Sequence, residues 1–206
     1  MDTDLDIGSR PKRPHLISRP QVVSCAVALL DEEGTSGLSM RKLAGALGVS
    51  LPTVYAAVAS RKQLVQDILR LTVAEEVAAV GDQVGPGPLD PVVVLGHFVS
   101  AAGRRAWLPD LAHELDTASL RQVLRDAADA SAPNVVDRLA QEVGVRLTGG
   151  TLASGELLFL MMLLLDDVGR LVEAGHCDAD LKGALGYRML QTVLTGAEQP
   201  TVVATG

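Results

Sequence analysis

The sequence predicts an all-α protein, and three observations support this fold class. Apolar residues recur at three- and four-residue spacings along most of the chain. Ser18 and Ser60 are each followed three residues later by Gln, a pattern typical of a helix start. No stretch alternates apolar and polar residues for long enough to predict a sheet. The 206 residues are sufficient for one or two domains.

The N-terminal part of the chain is predicted to form three helices and a longer fourth one. Ser39 and Ser50 are favourable N-cap residues, while Gly34 and Gly48 favour the end of the helices that precede them. Pro20 suits the first turn of the first helix. The predicted helices cover residues 18–33, 39–47, 50–58 and 60–80.

The Gly- and Pro-rich segment "GDQVGPGPLD" (81–90) predicts a boundary between two units. We call residues 18–80 the head and residues 90–196 the body. Residues 1–17 are predicted to be a flexible arm, and residues 197–206 a tail. The body is predicted to contain helices at 91–107, 109–115, 118–130, 133–146, 152–175 and 178–195.

Composition and cysteine usage favour a cytoplasmic, water-soluble protein. Hydrophobic residues make up 48% of the chain, which argues against disorder and favours an oligomer that buries additional apolar surface. The longest apolar run, "LLFLMMLLL" (157–165), is about half of the ~20 residues that a membrane-spanning helix needs. Cys25 and Cys177 form no disulfide framework, and the N-terminus has no signal-peptide pattern.

Charge is distributed unevenly between the two ends of the chain. Residues 10–70 carry nine Lys or Arg residues against four acids, whereas residues 71–206 carry nine against eighteen. The net charge of the whole chain is −7, so its average composition argues against a polyanion partner. The basic head on an acidic body nevertheless favours contact with nucleic acid at one end.

Two short helices joined through "GVS" form a candidate helix-turn-helix at residues 39–58. From the pattern alone, a generic helical hairpin is the alternative. The segment "GLSMRKLAGALGVSLPTVY" (37–55), with the basic pair and "QLV" that follow, resembles the DNA-binding domain of the tetracycline-repressor (TetR) family. Pro52 makes it most similar to the tetracycline-repressor branch. The resemblance covers about a quarter of the chain.

The resemblance implies a set of DNA-contacting residues on three successive helices. They are Ser39, Met40, Arg41, Leu51, Pro52, Thr53, Tyr55, Ala56, Ala57, Arg61 and Lys62. Arg41 has the planar fork that contacts guanine in two places, and Thr53 offers a hydroxyl and a methyl group. Tyr55, Arg61 and Lys62 are implied to contact phosphates. The alternative for each charged residue is a solvated side chain.

Ala56 and Ala57 depart from the larger side chains that related proteins carry there, and alanine offers a base only a methyl contact. Direct base recognition is therefore expected to depend on Arg41 and Thr53. The basic segment "RPKRPH" (10–15) of the arm is a further candidate for DNA contact, and plain disorder is its alternative.

For the body, the resemblance implies a ligand pocket and a homodimer through helices at about 152–175 and 178–195. The monomer core is the alternative for those helices. Candidate ligand-binding residues are His97, Phe98, Trp107, His113, Met161 and Met162, each of which could instead be ordinary core. The segment "HCDAD" (176–180) has metal-ligand residue types in one short turn, so a helix cap is favoured, and neither a metal nor a cofactor is expected.

Together with these patterns, the resemblance implies a homodimeric transcriptional regulator that binds a double-stranded DNA operator and responds to a small apolar or amphipathic effector. By resemblance, repression is its default action. No catalytic motif is present in the sequence, so an enzyme is not expected. The alternative is a dimeric ligand-binding or interaction module with weak or lost DNA recognition.

Overall fold

The computed structural model describes residues 17–130, 133–175 and 182–195, and in these ranges the chain is α-helical without strands. This confirms the predicted fold class. The helices are α1 (Arg19–Glu33), α2 (Met40–Ala46), α3 (Leu51–Val58), α4 (Arg61–Val84), α5 (Pro91–Arg104), α6 (Trp107–Ala112), α7 (Thr117–Asp129), α8 (Val135–Val143), α9 (Ser154–Glu173) and α10 (Lys182–Thr195). A 3₁₀ turn (Gly34–Gly37) follows α1, and a π-helical turn (Gly144–Thr148) follows α8.

Four serines begin the helices of the head. Ser18, Ser39, Ser50 and Ser60 each accept a hydrogen bond from the backbone N–H three residues further on. Each bond satisfies a backbone donor that has no partner within its own helix. These four helix starts match the positions that the sequence predicts.

The head packs α1, α2 and α3 against the beginning of α4. Its core is made of apolar side chains that are almost fully buried: Val22, Ala26, Leu30, Leu43, Val54, Val58, Leu64 and Ile68. Between α2 and α3, Gly48 adopts a φ of +64°, a left-handed conformation that glycine takes at little cost. The turn at Gly48 therefore joins α2 to α3 in a conformation that favours glycine.

One continuous helix, α4, runs from the head into the body. It ends at Val84, four residues beyond the predicted position 80. Val80 is buried and Val84 packs against the core, so burial outweighs the cost of about 1 kcal/mol that Gly81 brings to a helix interior. The Gly- and Pro-rich segment consequently starts its loop later than the sequence indicates.

In the body, α5, α6, α7 and α8 pack against α4. Helix α7 packs against α4 and α9, and α10 packs against α5 and α9. At the contact of α7 with α9, a Cβ atom added to Gly155 would lie 2.8 Å from Arg125 Cα. Glycine at position 155 therefore permits the two backbones to approach closely.

Some predicted boundaries are wrong. Pro109, predicted to separate two helices, lies inside α6, which covers Trp107–Ala112 rather than residues 109–115. Proline is tolerated there because the first-turn N–H groups of a helix have no intrahelical partner. The predicted helix 133–146 ends at Val143 and continues as the π-helical turn.

Several predictions fall outside the described residues. They concern most of the arm, the tail, the segment "HCDAD", and the beginning of the helix predicted at 178–195. Among the helices that are described, none combines the length and apolar character needed to cross a membrane.

Candidate nucleic-acid interface and ligand cavity

The outer face of α3 is exposed to solvent and presents few hydrogen-bonding groups. Pro52 and Ala56 are exposed, and the Tyr55 side chain is 43% exposed. Val54 and Val58, on the opposite face, are fully buried against the head core. This arrangement leaves α3 free to contact a ligand as large as DNA, with Tyr55 as its prominent polar side chain.

Three of the residues implied to contact DNA instead pack inward. Met40 is only 8% exposed and belongs to the head core. Leu51 and Ala57 are half-buried and pack against the same core. In this conformation they hold α2 and α3 in place rather than lining the outer face.

At the start of α2, Ser39 and Arg41 have different surroundings. The Ser39 hydroxyl is 3.1 Å from the Lys42 backbone N–H, from which it accepts a hydrogen bond. The Arg41 side chain is exposed, and it makes no ion pair with any described residue. Its guanidinium is therefore available to an external acceptor.

The Thr53 hydroxyl is already engaged in local structure. Its Oγ1 lies 2.8 Å from Ser50 Oγ, within the N-terminal cap of α3. Thr53 is half-buried, and its hydroxyl keeps the capacity for a further hydrogen bond to a ligand.

Arg61 and Lys62, at the start of α4, form ion pairs with the body. Arg61 donates two hydrogen bonds to the Glu114 carboxylate, from Nε at 3.0 Å and from Nη2 at 2.8 Å. Its Nη1 donates a third, to the Leu38 carbonyl oxygen at 2.7 Å. Lys62 Nζ lies 2.7 Å from Asp116 Oδ2. We call Arg61–Glu114 and Lys62–Asp116 the corner ion pairs, because both carboxylates lie between α6 and α7.

Asp116 has a second role as the N-cap of α7. Its Oδ1 accepts a hydrogen bond from the Ser119 backbone N–H at 2.9 Å. Lys62, followed by the backbone N–H and the hydroxyl of Ser119, holds the pKa of Asp116 below its ordinary value. Asp116 therefore carries its negative charge at pH values near neutrality and presents it to Lys62.

A second set of contacts joins α6 to the end of α1. Trp107 Nε1 donates a hydrogen bond to Asp31 Oδ1 at 2.8 Å. Nearby, Arg105 pairs with Glu75 at 3.2 Å, and Arg104 pairs with Glu76 at 2.9 Å. The head is thus attached to the body on both sides of α6.

A small apolar cavity lies in the body beneath α6. Its volume is about 60 Å³. The lining side chains are Val73, Glu76, Phe98, Ala101, Ala102, Leu108, Pro109, Leu124, Leu158, Met161 and Met162. Glu76 is the charged member of this lining, and Arg104 holds its carboxylate. The cavity has the apolar character of a ligand site but is smaller than the roughly 300 Å³ at which such sites begin.

Of the six predicted ligand-binding residues, the structure brings three together at this cavity: Phe98, Met161 and Met162. Trp107 is turned towards Asp31 and a polar cleft. His113 is exposed and lines a separate cleft of about 370 Å³ that shares Pro109 and Met162 with the cavity. His97 is half-buried and is not part of the cavity lining.

Sequence reasoning missed the carboxylates of the corner ion pairs and most of the cavity lining. Asp116 is followed three residues later by Ser119, a pattern that indicates a helix cap but not a partner 54 residues away. Leu108 and Leu124 each belong to the apolar pattern of a predicted helix. This pattern is the same for a residue that lines a cavity and for one in the packed core, so it does not identify the cavity wall.

Solved structures with a similar architecture cover both the head and the body. A protein of unknown function from Rhodococcus sp. RHA1 aligns with a TM-score of 0.57 and 17% identity, over 89% of this chain and 100% of its own. Apo ActR from Streptomyces coelicolor aligns with a TM-score of 0.53 and 18% identity, over 89% and 97%. A protein from Vibrio parahaemolyticus, described as a transcriptional regulator of the TetR family, aligns with a TM-score of 0.50 and 19% identity, over 83% and 97%.

The chain has the fold of a TetR-family regulator. No protein-family model and no curated protein matches the sequence. In this TetR-type fold, α2 and α3 are the helix-turn-helix that the sequence predicts at 39–58. The corner ion pairs then connect the helix that follows it, α4, with the body.

Proposed function

We propose that the protein is a homodimeric, ligand-responsive regulator of transcription that binds double-stranded DNA in the cytoplasm. The observation that carries the proposal is the exposed side chain of Arg41, which forms no ion pair with any described residue and lies at the start of α2, the helix that packs against α3. The TetR-type fold supports the same function, since the similar Vibrio parahaemolyticus protein is described as a transcriptional regulator.

Arg41 is the residue best suited to recognise a base. Its guanidinium presents parallel N–H groups that match O6 and N7 of guanine in the major groove. Ala56 can add a methyl contact to thymine, and Tyr55 can donate a hydrogen bond to a phosphate. Few side chains therefore carry sequence recognition, and Arg41 contributes most of it.

A homodimer through α9 and α10 is supported by apolar side chains that remain exposed on these two helices. Leu163 and Leu171 are exposed on α9, and Val193 is 51% exposed on α10. Pairing these surfaces across a two-fold axis would bury them and hold two heads at a fixed distance. The operator is then a near-palindrome with two half-sites.

The effector is proposed to be a small apolar or amphipathic molecule that enlarges the cavity beneath α6. The cavity volume of about 60 Å³ must increase to admit such a molecule. Met161 and Met162 can change rotamer to provide space, because methionine is flexible.

The resulting movement can reach the head through α6. This helix contributes Leu108 and Pro109 to the cavity wall and Trp107 to the hydrogen bond with Asp31. An effector lowers DNA affinity if it binds more tightly to the conformation with displaced heads than to the DNA-binding conformation. The factor by which DNA affinity falls cannot exceed the ratio of the effector's affinities for these two conformations. Repression that the effector relieves is the proposed direction of control.

A selection of bound duplexes from random DNA at low salt tests this function. We expect enrichment of a near-palindromic site, with an affinity that falls steeply as salt rises. The Arg41→Ala variant should relax the preference at one position of each half-site by about 1–3 kcal/mol.

Two further variants make the Arg41 result specific. Arg41→Lys keeps the charge without the two-pronged geometry, so it should keep general DNA affinity but lose the base preference. Arg146→Ala removes one positive charge from an exposed i,i+4 pair in the body and should change neither. If no duplex is enriched at low salt, the protein is instead a dimeric ligand-binding or interaction module.

A further inference from the structure

We propose that Glu114 and Asp116 are internal competitors of DNA phosphate: through the corner ion pairs they occupy Arg61 and Lys62 and thereby lower the DNA affinity of the head. This inference rests on the proposed DNA-binding function and adds a device that limits it. Glu114 and Asp116 act through Arg61 and Lys62 and are not themselves expected to touch DNA.

The geometry at Arg61 is that of an anion-binding arginine whose site is filled. Nε and Nη2 bind the two oxygens of one carboxylate, an arrangement that a phosphate group accepts equally well. Nη1 binds the Leu38 carbonyl oxygen, which fixes the orientation of the guanidinium relative to α2. A phosphate reaching this side of Arg61 must therefore replace Glu114.

Lys62 repeats the arrangement with the next carboxylate. Its ammonium group is 2.7 Å from Asp116, and both side chains are more than half exposed. Two consecutive cations, in the first turn of α4, are thus paired with two carboxylates from a single corner of the body. Arg41, on the same head, has no such partner among the described residues.

The corner ion pairs are weak enough for DNA phosphate to compete with the two carboxylates for Arg61 and Lys62. Exposed ion pairs contribute about 0–1 kcal/mol each, so a phosphate can displace them. After displacement, the two carboxylates remain near the DNA backbone and repel it. Removing their charge should therefore raise DNA affinity.

The decisive variant is the double substitution Glu114→Gln with Asp116→Asn. Both changes remove charge with little change of shape, and asparagine retains the N-cap of α7 because its side-chain oxygen still accepts the Ser119 N–H. DNA affinity would be measured by fluorescence anisotropy, with the duplex enriched from random DNA, across a range of salt concentrations.

We expect the double variant to bind about tenfold more tightly at low salt. The slope of log affinity against log salt should become steeper by up to about 1.8 per head, since each newly available cation adds about 0.9. A role in stability alone would leave this slope unchanged. The base preference should stay as in the wild type, because Arg41 is untouched.

A double-mutant cycle tests the assignment to Arg61. In the wild type, Arg61→Gln should cost little DNA affinity, because Glu114 already occupies the guanidinium. In the Glu114→Gln background, the same change should cost several-fold more. Equal costs in the two backgrounds contradict the proposal.

The matched control is Glu156→Gln, which breaks the similarly exposed pair of Arg121 with Glu156 within the body. It should alter neither the affinity nor the salt slope. If the wild type binds DNA and the double variant binds no more tightly, this inference alone is wrong. If neither binds any duplex, the proposed function fails as well.

Discussion

Arg41 and Lys42 are neighbours in sequence, but the fold gives them different tasks. Lys42 Nζ lies 2.5 Å from Glu33 Oε2, at the end of α1, and so it joins α2 to α1. Arg41 occupies the preceding position of the helix and has no ionic partner among the described residues. Of these two neighbours, Lys42 is therefore engaged within the head, and Arg41 remains the candidate for base contact.

Asp67 shows how a buried charge is accommodated in the head. Its side chain is 4% exposed and binds Arg19 and Arg70 through both carboxylate oxygens. The hydrogen bond to Asp67 also raises the pKa of Arg19. A buried charge without a partner is costly, so Asp67 needs both arginines. Because Arg19 lies on α1 and Asp67 on α4, their ion pair also holds the start of α1 against α4.

The hydroxyl group of Thr72, on α4, is buried and is expected to lower the stability of the protein. The side chain is fully buried, and its Oγ1 has no hydrogen-bond partner among the described residues. Thr72→Val replaces the hydroxyl with a methyl group of similar size, so it should raise the free energy of unfolding by about 1 kcal/mol. Urea denaturation of the wild type and the variant measures the difference.

Thr72→Ser is the matched control, because it keeps the hydroxyl and removes the methyl group. It should lower the free energy of unfolding by about 1 kcal/mol. A loss of stability in Thr72→Val would mean that the hydroxyl has a bonding partner.

Among the elements, the contact of α7 with α9 leaves no room for an added side-chain atom at position 155. Gly155 lies against Arg125, whose Cα would be 2.8 Å from an added Cβ atom. The obstacle is backbone, which cannot rotate away as a side chain can. An added Cβ atom at position 155 would therefore force α9 to move relative to α7. This movement would disturb the wall of the cavity, because Leu124 lies on α7 and Leu158 on α9.

Gly155→Ala should accordingly destabilise the protein by about 1–3 kcal/mol, the usual cost of forcing extra atoms into a packed site. Gly103→Ala is the matched control on α5, where an added Cβ meets nothing within 4 Å. That change should be neutral or slightly stabilising, because alanine favours a helix more than glycine does. Thermal unfolding of both variants separates steric from conformational effects, and equal midpoints would contradict the close contact.

For the molecule as a whole, exposed apolar residues on α9 and α10 predict a dimer. Val193→Glu would place a carboxylate in the proposed interface, where burial of an unpaired charge costs several kcal/mol. We expect the dimer dissociation constant to rise at least about tenfold, which corresponds to 1.4 kcal/mol. Sedimentation equilibrium over a range of protein concentrations measures the change.

The control for this variant is Val93→Glu, on α5. Val93 is 52% exposed, similar to Val193, but it lies outside α9 and α10. It should leave the dimer intact. A monomeric wild type, or an identical effect of the two substitutions, would show that α9 and α10 do not form the interface.

Local chemistry allowed the sequence to predict the helices of the head accurately. The N-cap serines, the turn at Gly48 and the inward spacing of Val54 and Val58 depend on neighbours a few residues away. The end of α4 was predicted four residues too early, because burial of Val80 and Val84 comes from contacts distant in sequence.

The sequence by itself determined the all-α fold class, the helix-turn-helix at 39–58 and the exposed position of Arg41. Only the tertiary structure decided that Met40 is core, that Phe98 meets Met161 and Met162 at a cavity, and that Arg61 and Lys62 pair with the body. The physical reason is distance along the chain. A helix cap is formed by residues three apart, whereas Arg61 and Glu114 are 53 residues apart and meet only after α4, α6 and α7 have packed.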